Sequence, residues 1–445
     1  MKKTILYHTL AKQTFAIWLI QMIILVIPML DTYFLIGISN QNVASYALGS
    51  SFYGLWILVC KGILQGISFR VAVIANVYNH DNQQNLAIQS LYLVVILTLI
   101  AWMLLYLSGI GIQHLPISNT LKHLSWQYLY IAMFGVPAVL GVRALSAWYQ
   151  GVSLAGLLAK WFIIGIIIKV FLTKLFIMGV FGQYWQNISG VVFANNLMFW
   201  FIFFALLISI RQDYHEHNTS YTTTNSIHYQ LNIHEQCQIL RYGLPIGIAY
   251  WSEFSIVPMI TSLIASHNEH LLVIHEILSS VYDWLMSLPI ATALASSILA
   301  RQLYQYNFIT AKYIKSLCDK LLIGFCIMLF GLVWAFKYQW LSLYDINHTQ
   351  TSLAISIIPV ILLRAIVESL QTLSAFHLRA IDKGWLVVIV NGFSLWGVTM
   401  LGIYWQRFSL LTLGSIWLLL SLGYMIGWLI LQLIYDKIQN LNPKI

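Results

Sequence analysis

Residues Leu240–Ile264 read LRYGLPIGIAYWSEFSIVPMITSLI, an apolar run of helix length with one carboxylate, Glu253, near its middle. About 20 apolar residues suffice to cross a bilayer as a helix, and an ionisable group halfway along such a helix is costly enough to mark a functional position. An earlier run, 14–38, sets Asp31 in a related context: VIPMLDTYFLI corresponds to IVPMITSLI, with Pro28 matching Pro258. The same correspondence pairs Ser50 and Ser51 with Ser279 and Ser280. The chain therefore reads as one unit written twice.

Composition agrees. The 445 residues are 60% hydrophobic and only 8% charged, and the mean hydropathy is +0.78. Such a chain is a polytopic membrane protein and not a soluble domain. Twelve apolar runs are long enough to span, near 14–38, 44–77, 86–112, 124–149, 155–181, 187–210, 240–264, 271–303, 318–343, 351–378, 385–405 and 408–434. The fold expected is all-α, with twelve transmembrane helices in two pseudo-symmetric six-helix lobes around a central cavity. The N-lobe covers 1–210, a polar linker 211–239 and the C-lobe 240–445. Parallel repeats of this kind are transporter architecture.

The formal charge of +9 does not point to nucleic acid. Arg211, Arg241, Arg301, Lys312, Lys315, Arg379 and Lys383 fall on even-numbered connections or next to them, with Lys2, Lys3, Lys12, Lys437 and Lys444 in the tails. Only a few bases, such as Lys122 and Arg407, fall on the other side. By the positive-inside rule both termini are cytoplasmic. The basic N-terminus leads into a run too long for a signal peptide, so it reads as a retained first helix.

The motifs resemble the multidrug and toxic compound extrusion family. GLPIGIAYWSE resembles the family's seventh-helix motif, whose glutamate serves cation coupling. The run ending in Asp31 resembles its aspartate-bearing first helix, followed by GISNQNVASYALGSSFYGL. VIHEILSSVYDWLMSLPIATALASSILARQL and ESLQTLSAFHLRAIDKGW are similar to its eighth- and tenth-helix segments. The resemblance implies an antiporter that expels organic cations in exchange for protons or sodium. It also implies that Glu253 and Glu368 form the C-lobe coupling site.

Several residues depart from that pattern. Lys169 and Thr173 stand where the family's fifth helix tends to place asparagines, and Arg364 stands one turn before Glu368. Arg364 and Glu368 share a helix face and can pair, and Lys169 can neutralise Asp31. These fixed cations suggest a solute that is zwitterionic or anionic in place of a simple cation. Asp31, Glu253, Asp283 and Glu368 are thus the candidate coupling residues. Lys169, Arg364, Tyr250, Trp251, Tyr282 and Trp284 are candidates for the substrate cavity, the aromatic ones through stacking or cation-π contact.

No nucleotide fingerprint, catalytic elbow or zinc motif is present in the sequence, so the expectation is a transporter and not an enzyme. It is expected to have no cofactor and no metal, the histidines at His215, His217, His228 and His234 being too loosely spaced for a ligand set. The expected partners are a small-molecule substrate and the lipid bilayer, with a monomeric chain. The alternative is a flippase or exporter of an anionic, zwitterionic or lipid-linked substrate.

Overall fold

The computed structural model describes residues 3–75, 80–151, 156–218, 231–304, 308–344, 346–405 and 412–441. Residues 219–230 of the linker, with His228, and Arg407 lie outside them. The described residues contain helices and no strand. In order these are α1 (Lys3–Ile36), α2 (Asn40–Ala75), α3 (His80–Gln113), α4 (Asn119–Gly151), α5 (Gly156–Ile177), α6 (Ile188–Asn218), α7 (Ile233–Phe254) and α8 (Ile256–His267). They continue with α9 (Glu269–Tyr304), α10 (Phe308–Ala335), the short α11 (Lys337–Leu341), α12 (His348–Ala380), α13 (Gly384–Asn391), α14 (Val398–Trp405) and α15 (Leu413–Leu441).

Eleven stretches among the described residues are long and apolar enough to cross a membrane. The fifth run expected from the sequence forms α5, a 22-residue helix that carries Lys160, Lys169 and Lys174.

Two spans are interrupted for local reasons. The seventh breaks at Ser255, between α7 and α8. Pro258 has no N–H to give to the Phe254 carbonyl and its ring crowds that group, so the helical ladder ends one residue after Glu253. The eleventh runs α13, a π-helical segment Gly392–Gly397, then α14. Single π turns within α-helices occur often at functional sites.

The internal repeat has a structural counterpart. Thr32 donates its hydroxyl to the Pro28 carbonyl at 3.0 Å, and Ser262 does the same to Pro258 at 2.6 Å. Ser51 bonds the Leu48 carbonyl at 2.7 Å and Ser280 the Ile277 carbonyl at 2.8 Å. Matched positions thus use one device, a hydroxyl folded back onto its own helix, which satisfies a polar side chain where no water is available.

The chain forms two compact units, residues 1–40 with 252–445, and residues 41–251. In the first, α1 lies on α9: Trp18 Nε1 donates to Ser287 Oγ at 3.2 Å. Leu10 and Ile17 join a core with Ala291, Leu294, Ile314, Leu322, Leu373 and Phe376. Alanines on α9 let its neighbours approach closely, the usual basis of helix association in lipid.

In the second unit α2 meets α7 through two GxxxG sequences, Gly62–Gly66 and Gly243–Gly247. A Cβ at Gly66 would stand 2.5 Å from the Ile239 carbonyl oxygen, one at Gly62 2.9 Å from Gly247 Cα, and one at Gly243 would overlap the Ile63 carbonyl. These neighbours are backbone and cannot rotate away. Gly243→Ala is therefore expected to cost about 1–3 kcal/mol, the usual range for overpacking, read as a lower melting temperature in detergent. Gly324→Ala on α10, where a Cβ meets nothing within 4 Å, is expected to cost nothing. Equal melting of the two variants would contradict backbone contact at Gly243. At one end of this pair, Arg70 makes a two-pronged bond to Glu235, at 3.0 and 2.9 Å. That hydrogen bond holds the Arg70 guanidinium above its ordinary range.

Candidate functional site

Three helices of the first unit each present two residues seven apart, which puts them two turns apart on one face. α9 offers His275 and Tyr282, α12 offers Arg364 and Gln371, and α15 offers Trp417 and Tyr424. Of these, Tyr282, Trp417 and Tyr424 gather on Arg364, which pairs with Glu368 one turn on.

The Arg364 guanidinium donates through Nε to Glu368 Oε2 at 3.2 Å, and the side chains are only 10% and 7% exposed. Tyr282 donates its hydroxyl to the same carboxylate oxygen. Three rings enclose the cation: its carbon lies 4.3 Å from the Tyr282 centroid, 4.9 Å from Trp417 and 5.3 Å from Tyr424. His275 stands behind Trp417, with ring centroids 5.6 Å apart. The expected pair is thus formed, and the position an external cation would take beside Glu368 is filled by the chain's own guanidinium. Arg suits such a place because its planar group stacks on rings while its edge bonds a carboxylate.

Glu253 is buried and differently held. It accepts from Asn391 Nδ2 at 3.3 Å, and Asn391 Oδ1 accepts from Gln371 Nε2 at 2.6 Å. Gln371 follows Glu368 by three residues, so one face of α12 supports both carboxylates. Trp396, within the π segment, donates to Ser255 Oγ at 3.0 Å. The π segment and the residue before it therefore grip both sides of the Ser255 break, one bond to Glu253 and one to Ser255. Amides are neutral partners: they orient the carboxylate without cancelling its charge. Truncation by Asn391→Ala strands two buried groups, Glu253 Oε2 and Gln371 Nε2, at about 1–3 kcal/mol each. The variant should melt below wild type. A double-mutant cycle with Glu253→Ala, which removes the acceptor, should show coupling between the two positions, and additive losses would rule out the bond.

The other candidates from the sequence take no part in the bonds just described around Glu368 and Glu253. Asp31 on α1 is 1% exposed. Glu276, half-buried on α9, has Asp283 and Asp31 as charged neighbours. Asp283 is exposed, because it follows Tyr282 by one residue and so turns about 100° away from the Arg364 cage. Trp284 is half-buried. In the other unit Lys169 is fully buried on α5, Tyr250 is half-buried against Gly62, and Trp251 is 47% exposed. Trp251 sits two residues before Glu253, on the opposite side of α7. Asn391, Gln371, Trp417 and Tyr424 were absent from the sequence candidates. The signal that could find the aromatic pair is its seven-residue spacing on a helix that must pack against the one bearing Arg364.

The fold is shared with solved structures of low sequence identity. The chain superposes on an inward-facing multidrug resistance MATE family transporter of the MOP superfamily with a TM-score of 0.76 at 15% identity, covering 95% of this chain and 96% of that one. It superposes on a MOP superfamily transporter from Pyrococcus furiosus with a TM-score of 0.81 at 14% identity, covering 98% and 96%. In sequence, the MatE family model matches residues 16–175. A probable multidrug resistance protein NorM of Acinetobacter baylyi is 23% identical over 413 residues, 91% of this chain and 90% of that protein. The corresponding protein of Shewanella oneidensis is 24% identical over 376 residues, 83% of this chain and 80% of that one. The chain is thus similar to multidrug and toxic compound extrusion proteins along most of its length, as its motifs suggest.

Proposed function

We propose that this chain is a secondary active efflux transporter, an antiporter that exports small amphipathic or drug-like compounds across the cytoplasmic membrane against a proton or sodium gradient. The observation that carries the reading is Glu253: a buried carboxylate on a membrane-spanning helix, oriented by neutral amides at a helix break. Likeness to NorM proteins along most of the chain supports it. Glu253 takes up the coupling ion and releases it as substrate binds, so that each ligand's arrival expels the other. Glu368, Asp31 and Asp283 are secondary candidates for coupling; Glu368 already carries a built-in counter-ion. The chain acts as a monomer with both termini in the cytoplasm, and its covalent repeat is an N-lobe, 1–210, and a C-lobe, 240–445.

A second reading is favoured by Arg364. If it and Lys169 take the place of an inorganic ion, the transported molecule is anionic, zwitterionic or lipid-linked. The neighbour from Pyrococcus furiosus is itself described by a reverse polarity of its binding pocket that suggests a different function. Expression in bacteria deprived of their own exporters separates the readings. Ethidium accumulation severalfold below an empty-vector control, restored by a protonophore or by sodium removal, supports cation efflux. Unchanged accumulation at equal membrane expression contradicts it and favours the second reading.

A further inference from the structure

The residues 41–251 unit is one-sided in charge. Its acidic residues are Asp81, Asp213, Glu216 and Glu235, each near a helix end. Its cations reach deeper. Lys61 lies seven residues inside Ser68, where the apolar part of α2 ends, and Arg143 eight residues inside the end of α4, roughly 10–12 Å at 1.5 Å per residue. Both are half-buried, and each is within electrostatic reach of the other.

Neither has a carboxylate partner among the hydrogen bonds and ion pairs of the described residues. Arg143 donates through Nη2 to Gln65 Oε1, and the Gln65 amide is in turn fixed by donating to Ser68 Oγ at 2.7 Å. Gln65 therefore aims a neutral acceptor at one prong of the guanidinium, while Arg143 Nε is buried with no hydrogen-bond partner. Tyr250 of α7 completes the place. Gly62 and Gly247 let α7 approach so closely that the Tyr250 ring rests where a Cβ at Gly62 would stand.

We propose that Lys61 and Arg143 form an anion-binding subsite that takes the carboxylate, sulfonate or phosphate of an amphipathic molecule, with Tyr250 as a flat surface for its apolar part. Two like charges at this depth repel unless an anion joins them, and the unit has no carboxylate there to do so. A guanidinium with an unused N–H beside an ammonium is the donor set that an oxyanion requires. The ring offers stacking area to an aromatic solute. The subsite rests on the reading of this chain as a binder of small amphipathic solutes and adds solutes with an acidic group to the cations which that reading covers.

The test is equilibrium binding, by fluorescence anisotropy, of two related tricyclic dyes to the full-length protein in a non-ionic detergent: anionic fluorescein and cationic rhodamine 6G. Wild type should bind fluorescein saturably. Lys61→Gln and Arg143→Gln should each weaken it by about tenfold or more, Lys61→Arg by no more than about threefold, and none should weaken rhodamine 6G. Arg143→Lys serves if Arg143→Gln does not purify, and melting temperatures near wild type certify each variant. Absence of saturable fluorescein binding by wild type, or equal affinity in all variants, overturns the proposal. Displacement of the dye by added phosphatidylglycerol identifies a lipid headgroup as the oxyanion source, and displacement by a soluble aryl carboxylate alone identifies a solute. Failure of the efflux reading is seen separately, as fluorescein binding that depends on Lys61 in a protein that moves no dye in cells.

Discussion

Arg364→Ala should lower the stability of the purified protein by about 3–5 kcal/mol, the range found when one partner of a buried ion pair is removed. The loss has two parts. Glu368 stays in place with a charge that, among the described residues, only the Tyr282 hydroxyl still bonds, and Tyr282, Trp417 and Tyr424 lose the cation lying against their faces. The second part alone is about 0.5–2 kcal/mol per well-desolvated contact. Replacing both partners with groups of similar volume, Arg364→Met with Glu368→Gln, should recover most of the loss, since no buried charge is left. With the guanidinium gone, the Glu368 site is open to an external cation, so sodium should raise the melting temperature of Arg364→Ala by more than it raises that of wild type. A variant that melts with wild type and ignores sodium would show that the cage contributes little.

Glu253→Gln should separate transport from stability. Gln keeps an oxygen that can accept from Asn391, so the chain from Gln371 to position 253 survives and melting should shift little. What disappears is the ionisable group. Gradient-driven export should fall by at least about tenfold, more than 1.4 kcal/mol of coupling. The contrast with Asn391→Ala is informative: that change keeps the carboxylate and removes its support, so it should cost stability first and transport less. A Glu253→Gln protein that exports at the wild-type rate would remove Glu253 from the coupling role, whatever its burial.

Much of the architecture was legible because the bilayer enforces it. Backbone polar groups must be satisfied within each span, so apolar runs of the right length become helices, and the runs read from the sequence correspond to the helices observed. The Arg364–Glu368 pair was legible for the same kind of reason: a four-residue spacing on a helix fixes the two side chains on one face. Other parts were hidden. Asn391 and Gln371 are single amides in long apolar stretches, and nothing local tells that one will meet Glu253. Trp417 and Tyr424 are two among 17 Trp and 25 Tyr, most of which read equally well as lipid-facing or interfacial. Trp251 stands two residues from Glu253 and Asp283 next to Tyr282 along the chain, but helical geometry turns them to other faces. The grouping of α1 with residues 252–445 in one compact unit depends on side-chain fit, such as Trp18 on Ser287, and chain order alone does not reveal it.

The measurement that bears most directly on the central claim uses purified protein in liposomes with an imposed pH or sodium gradient, following ethidium movement for wild type and for Glu253→Gln at matched protein content. Movement that requires the gradient in wild type and is lost in the variant is the predicted result. Well-folded wild type that moves no ethidium under either gradient, or a variant that moves it equally well, would contradict a cation-coupled exporter acting through Glu253.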